Sequence, residues 1–174
     1  MRNRLFVVSI IVTFVSSGAA CGKKAGPTGS TPAAAPPVAA EAGAAENLGK
    51  KIGSSYIETL KQVVAMMQDK PAAFDAKAML TDMKAWTIEL MIGLGKEREA
   101  LPAGERVVVD RVLSQRIVSV PSDLFKDFQE GQVYYKDDRE LFELIADFNI
   151  ITQYANFDLL KKQLPEEAKR LGLQ

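Results

Sequence analysis

The chain has 174 residues, 47% of them hydrophobic and 25% charged, which is the balance of an ordinary globular protein. Basic and acidic residues both number 22, so no excess of positive charge points to nucleic acid, and we expect no such partner. Histidine is absent and Cys21 is the single cysteine, which excludes an intramolecular disulfide and cysteine-rich metal sites. The lack of histidine also removes the commonest acid–base group and the commonest metal and haem ligand.

Residues 1–20 have the pattern of a secretion signal. The basic tetrapeptide MRNR is followed by the uncharged stretch LFVVSIIVTFV (5–15) and by the small residues SSGAA (16–20). Eleven residues are too few to cross a bilayer, which takes about 20, but they suit the apolar core of a signal peptide. We therefore predict a signal peptide over residues 1–20.

The residues Gly18-Ala19-Ala20-Cys21 resemble the lipobox of bacterial lipoproteins, with Gly18 where that family usually has Leu. The resemblance implies cleavage before Cys21, a diacylated sulfur and a fatty acyl group, such as palmitate, on the new amino group. Acyl chains in this number hold a protein durably on a membrane. The alternative is ordinary cleavage, which would leave an exposed thiol prone to oxidation. By resemblance to enteric lipoproteins, Gly22 in place of Asp favours the outer membrane, facing the periplasm, over the inner membrane.

Residues 21–45 are predicted to be the lipidated cysteine and a flexible tether. Four prolines in this segment interrupt any continuous helix, and none of its apolar side chains is larger than that of Val38. Such a segment holds a folded domain away from a membrane surface without adding a specific function.

From Asn47 onward, apolar residues recur with a helical period. The first predicted helix ends near Asp69, ahead of Pro71, and the second is closed by ALPAG (100–104). The first apolar stripe consists of Leu48, Ile52, Tyr56, Leu60, Val63, Val64 and Met67, and the second of Met79, Leu80, Met83, Trp86, Thr87, Leu90, Met91 and Leu94.

The third segment, ERVVVDRVLSQRIVSV (105–120), is rich in β-branched residues, which favour strands. Strict alternation fails at Val107–Val109, so we predict a helix instead. Pro121 kinks or interrupts it, and Ser122 or Asp123 can cap its continuation. The predicted helical face consists of Val109, Val112, Leu113, Arg116, Ile117 and Val120.

The last predicted helix begins after a cap at Asp137 or Asp138 and ends at Leu164, before Pro165, with a loose turn beyond it. Its apolar side consists of Leu141, Leu144, Ile145, Phe148, Ile151, Tyr154, Ala155 and Leu159. Four helices of similar length joined by short loops predict an all-α fold, an antiparallel up-down four-helix bundle over residues 46–174.

Two clusters suggest chemistry but have simpler explanations. Gly93-x-Gly95-Lys96 lacks the preceding strand and the Gly-Lys-Ser/Thr of a phosphate loop, so helix termination or close helix packing is expected. The carboxylates Asp137, Asp138, Glu140, Glu143 and Asp147 could hold Ca²⁺ or Mg²⁺. Their position at a helix N-terminus is what the helix dipole favours, and we predict no metal site.

Methionines and aromatics could line a pocket for an apolar ligand, although such stripes are more often core. The set is Met66, Met67, Met79, Met83, Met91, Trp86, Phe125, Phe128, Phe142, Phe148 and Tyr154. The hairpin LKQVV…DKPAAFDAKAMLTDMKAW resembles part of the periplasmic b-type cytochrome bundles. That family ligates haem through Met and His, so without histidine we expect neither haem nor another cofactor.

Asn149, Gln153 and Asn156 form a polar row on the last predicted helix, off its apolar stripe, and we expect this row to be exposed. The leading hypothesis is a non-enzymatic, membrane-anchored lipoprotein of the cell envelope that acts through protein–protein or envelope contacts. The alternatives are a small apolar ligand or cofactor binder that uses the bundle core, and an enzyme relying on Asp, Glu, Ser and Thr.

Overall fold

The structure, a computed structural model, describes residues 38–173, with side chains from residue 43 onward. Every regular element in this range is helical, so the predicted all-α class is confirmed for the described part of the chain. The elements are α1 (Val38–Gln68), α2 (Ala73–Glu99), α3 (Ala103–Val118), α4 (Ser122–Tyr134), α5 (Arg139–Asp147), the 3₁₀-helix (Phe148–Ala155), α6 (Phe157–Gln163) and α7 (Pro165–Arg170). Cys21 lies outside the described residues.

The first two helices follow the predicted apolar stripes. The whole stripe of α1 is buried, and Leu80, Met83, Thr87, Met91 and Leu94 of α2 are buried with it. Helix α1 begins at Val38, earlier than residue 46, where the bundle domain is predicted to begin, and Ala45 is already in the core. The other three members of the predicted second stripe are different: Met79 is 37% and Trp86 55% exposed, and Leu90 is partly buried.

The third segment is a helix, as the broken alternation predicted, and it ends just before Pro121. Val109, Val112, Leu113 and Val120 are buried. The continuation α4 begins at Ser122, but its N-cap position is held by Pro121 without a side-chain cap, so the prediction that Ser122 or Asp123 caps it is wrong. Helix α4 ends at Tyr134.

The single long helix predicted over residues 139–164 is wrong, because three helical pieces replace it. The 3₁₀-helix has three residues per turn, and this places Phe148, Ile151 and Tyr154 in one buried row. Asn156 then caps α6, accepting a hydrogen bond from the Leu159 backbone N–H at 3.0 Å. The change of winding buries Phe157 and Leu160 rather than Leu159. Residues 165–170, predicted to be a loose turn, form α7.

Helix α1 occupies the middle of the packing, because α2, α3, α4 and the 3₁₀-helix all contact it. An exposed Lys51–Glu97 pair at 3.0 Å places the beginning of α1 beside the end of α2, so these two helices are antiparallel. Helix α3 packs mainly on α1 and little on α2. Gly49 faces Val109 and Val112, and Gly53 faces Arg116, so α1 and α3 run parallel.

Glycines allow this close contact. A Cβ atom at Gly49 would lie 2.8 Å from the Val109 carbonyl oxygen, and one at Gly53 would lie 2.6 Å from the Arg116 Cβ. The backbones of α1 and α3 therefore approach more closely than any larger residue permits. We call the contact around Gly49 and Gly53 the glycine seam.

Candidate functional site

Of the five carboxylates at the start of the last helical segment, Asp138, Glu140 and Asp147 are held by helix capping or by lysines of α2. Asp138 caps α5, accepting from the Leu141 N–H at 3.1 Å, which confirms one of the two predicted caps. Glu140 pairs with Lys77, and Asp147 pairs with Lys84 at 2.5 Å. Within residues 43–173, no group of three or more Cys, Asp or Glu side chains is arranged to hold a metal ion.

Gly95 has the packing role expected of the Gly93-x-Gly95 pair. Helix α2 continues through both glycines to Glu99, so neither ends it. A Cβ at Gly95 would lie 2.6 Å from the Phe157 ring, whereas at Gly93 it would meet nothing within 4 Å. Gly95 therefore serves the contact between α2 and the last helical segment.

The methionines and aromatics of the predicted ligand pocket do not form one group. Met67, Met83, Met91, Phe128, Phe148 and Tyr154 are core residues, whereas Trp86 and Met79 face solvent. The polar row is also divided. Asn149 is exposed, as predicted, whereas Gln153 and Asn156 are partly buried, contrary to the prediction. Asn156 donates from Nδ2 to Asp110 Oδ2 at 3.4 Å in addition to capping α6.

An ionic network that the sequence did not reveal closes the end of the domain where α2 meets α3. The Arg98 guanidinium, 4% exposed, donates to both carboxylate oxygens of Asp110 at 2.9 and 2.8 Å. It also donates to Glu99 at 2.6 Å, and Glu99 accepts from Arg106 at 2.7 Å. We call this network the Arg98 cluster.

The Arg98 cluster is internally satisfied. Hydrogen bonding to Asp110, together with the nearby Asp110 and Glu99 charges, raises the pKa of Arg98 against the opposing effect of its burial. Arg106 also donates to the Leu101 carbonyl at 2.9 Å, which fixes the loop between α2 and α3. The pairing of each charge makes this cluster a structural lock. The sequence offered one signal of the Arg98 cluster, namely the charged residues at positions 98, 99, 106 and 110 on both sides of a loop that contains proline.

The opposite end of the domain is open. Here the loop between α1 and α2 lies against the end of α4 and the connection to α5, and a groove of about 700 Å³ runs between α1 and α4. Val64, Met67 and Gly131 are in its lining, together with the ring of Tyr134. The charged residues of the lining are Lys70, Lys126, Asp127 and Glu130. We call it the tip groove, and with the adjoining surface around Lys70 and Asp137 we call it the tip surface.

Gly131 brings the tip groove close to the core. The end of the Met67 side chain lies over this glycine, since a Cβ at this position would be 2.5 Å from the Met67 Cε. Val133 is 57% and Tyr134 51% exposed on the same surface. Apolar and aromatic side chains at an open concave surface, with a few charges beside them, are typical of a binding site.

The tip surface is held in a defined shape. The buried Tyr135 donates its hydroxyl hydrogen to the Pro71 carbonyl at 2.8 Å, which joins the two loops, and burial raises the pKa of Tyr135. Lys70 has a φ of 47°, and no other non-glycine residue of the described chain has a positive φ. Its ammonium lies 5.1 Å from the centroid of the Tyr134 ring. A left-handed lysine is a local strain that the surrounding contacts maintain.

A second groove, of about 400 Å³, lies between α2, the 3₁₀-helix and α7. Its charges are paired across it. Tyr154 donates to Glu167 at 3.1 Å, and Arg170 donates to the same carboxylate at 2.8 and 2.7 Å. Arg170 is the main reason that the pKa of Glu167 is lowered, while burial raises the pKa of Tyr154 to about 12. The ionic groups of this groove are paired with one another, whereas Val133 and Tyr134 are exposed at the tip surface, so the tip surface is the stronger candidate.

Comparison of the chain with protein-family models, with curated proteins and with solved structures gives no match. From residue 38 to residue 173, no helix combines the length and the apolar character needed to cross a membrane.

Proposed function

We propose that this protein is a non-enzymatic lipoprotein of the bacterial cell envelope, anchored through acylated Cys21 and acting through contacts with another protein. The observation that carries the anchor is the run Gly18-Ala19-Ala20-Cys21 directly after a signal-like segment. Gly22 supports attachment to the outer membrane, with the folded domain in the periplasm.

The open tip surface supports the second half of the proposal, the contact with a protein. The Arg98 cluster and the second groove satisfy their own charges, whereas the tip surface leaves Val133 and Tyr134 half-exposed beside a groove. Exposed apolar surface bordered by charged residues is what a protein-binding site requires. The non-enzymatic assignment rests on the lack of histidine in the sequence and on the absence of a motif for nucleophilic or metal-assisted chemistry.

The anchor is tested by expressing the full chain with its own N-terminus in a bacterial host and measuring the intact mass of the product. We expect a chain that begins at Cys21, carries acyl groups and fractionates with membranes. Cys21→Ser is the matched control, and it should lose both the added mass and the membrane association. An unacylated wild-type product in the soluble envelope fraction would refute the anchor.

A binder of small apolar molecules remains the second candidate, because the volume of the tip groove lies in the range of ligand sites, roughly 300–1,000 Å³. The groove is at the surface rather than in the bundle core, where this alternative was predicted. Native mass spectrometry of the full chain, purified from its host, should show an additional bound species if this candidate is right. If a Tyr134→Ser variant retains this species, the binding site lies outside the tip groove.

A further inference from the structure

The tip surface lies at the end of α1 that is remote from Val38, where the described part of the chain begins. Helix α1 has 31 residues, so its two ends are about 46 Å apart. The tip groove is lined by the last residues of α1 and by the second half of α4.

The tip end of the domain is acidic, although the remainder is not. Residues 69–77 and 122–140, which include both members of the Lys77–Glu140 pair, contain eight acidic and five basic residues. The other parts of the folded chain, residues 46–68, 78–121 and 141–174, contain thirteen acidic and thirteen basic residues. The negative charge of the folded part is therefore concentrated around the tip surface, where it attracts a positively charged partner and repels an anionic one.

The lysines at the tip surface are held close to groups of the protein itself. Lys126 lies 3.8 Å from Glu130, one helical turn away, and Lys70 lies over the Tyr134 ring. They balance the charge immediately inside the groove, and the excess negative charge surrounds it. An apolar side chain can therefore enter the groove between Met67 and Tyr134 while basic side chains next to it meet the acidic surroundings.

We propose that the tip surface binds a basic, apolar segment of a partner protein, with one large apolar side chain of that segment in the tip groove. This deepens the proposed function, on which it rests, by stating the chemistry of the partner. A membrane surface is the less suitable occupant, because bacterial membranes present anionic lipids and the tip end is acidic.

The test uses the full chain in mild detergent and a matched pair of short fluorescent peptides. Both peptides carry Leu and Trp at the same positions, and the remaining positions are Lys in one and Glu in the other. We expect the Lys peptide to bind about tenfold more tightly than the Glu peptide, and its affinity to fall with added salt. Fluorescence anisotropy measures both affinities.

Two tip variants and one control locate the binding. Tyr134→Ser removes an exposed aromatic ring from the groove, and Glu130→Lys reverses a charge beside it. Each change should lower the affinity for the Lys peptide about tenfold. Val118→Ser is the control, because Val118 is 86% exposed but lies outside the tip surface. This variant should bind the Lys peptide with the affinity of the wild type. Circular dichroism confirms that each variant is folded.

Three results would overturn the proposal. They are equal affinity for both peptides, no detectable binding of the Lys peptide, and equal binding of the Lys peptide by the wild-type chain and both tip variants. Sedimentation of the unacylated Cys21→Ser chain with anionic vesicles, abolished by a further Tyr134→Ser change, would reassign the tip surface to a lipid partner. The Cys21→Ser chain should bind the Lys peptide as the wild type does, so failure of the anchor and failure of this proposal are distinguishable.

Discussion

The two ends of the helical domain use their polar residues in opposite ways. Where α2 meets α3, Arg98 is buried and its hydrogen bonds go to Asp110 and Glu99, so the end is closed. At the other end, Tyr135 fixes the loops, but Val133 and Tyr134 stay half-exposed beside a groove. Removing a partner at the closed end is therefore expected to destabilise the fold, whereas the open end leaves apolar side chains in contact with solvent.

The largest effect is expected at the closed end. Arg98→Ala should reduce the free energy of unfolding by about 3 kcal/mol, because it removes a buried guanidinium and takes from Asp110 both of the hydrogen bonds that this guanidinium donates. Urea denaturation followed by circular dichroism measures this. Lys51→Ala, which breaks the exposed Lys51–Glu97 pair, is the control and should cost at most about 1 kcal/mol. Equal losses for the two variants would mean that the Arg98 cluster is not a lock.

The glycine seam lies in the body of the domain and should give an intermediate effect. Gly49→Ala should destabilise the protein by about 2 kcal/mol, because the added methyl collides with the Val109 carbonyl and the Val112 side chain. Gly93→Ala is the matched control in α2, where the new Cβ meets open space and the higher helix propensity should add up to about 1 kcal/mol. The urea midpoint should therefore fall in Gly49→Ala and rise in Gly93→Ala. Shifts of the same sign in the two variants would contradict the close contact of α1 and α3.

The smallest effect is expected at the open end. Lys70→Gly should stabilise the protein by about 0.5 kcal/mol, because glycine adopts a positive φ without the steric cost that lysine bears. Its neighbour Asp69 has no positive φ, so Asp69→Gly should instead lower the melting temperature slightly by adding flexibility to the unfolded chain. If Lys70→Gly lowers the melting temperature as well, the contact of Lys70 with Tyr134 outweighs the backbone strain.

Periodicity was sufficient for the first three helical segments and insufficient for the last. The stripe of α1 and the break at Pro121 follow from spacing and from the missing proline N–H. The 3₁₀-helix was missed because a spacing of three at Phe148, Ile151 and Tyr154 also fits an α-helical stripe over a short range. Asn156 was the signal of a break, since its side chain competes with the helical backbone and favours a cap.

The candidate sites depended on tertiary geometry to different degrees. The spacing of Gly49 and Gly53, one helical turn apart, could have indicated a close helix contact, although not its partner. The Arg98 cluster needs the exact path of the loop after α2, which composition does not give. Val133 and Tyr134 carry no mark of exposure in the sequence, because the same residues in the same spacing are compatible with burial.

The winding of the 3₁₀-helix sets a constraint on chain length that is separate from any constraint on residue type. Eight residues at about 2.0 Å per residue span about 16 Å, against about 12 Å in an α-helix, so the segment covers more of α2 and α1 than its length suggests. Each residue turns the chain by about 120°, so one inserted residue would rotate Phe157 and everything after it away from Gly95. Substitutions that preserve apolar character are compatible with this segment, whereas insertions and deletions are not.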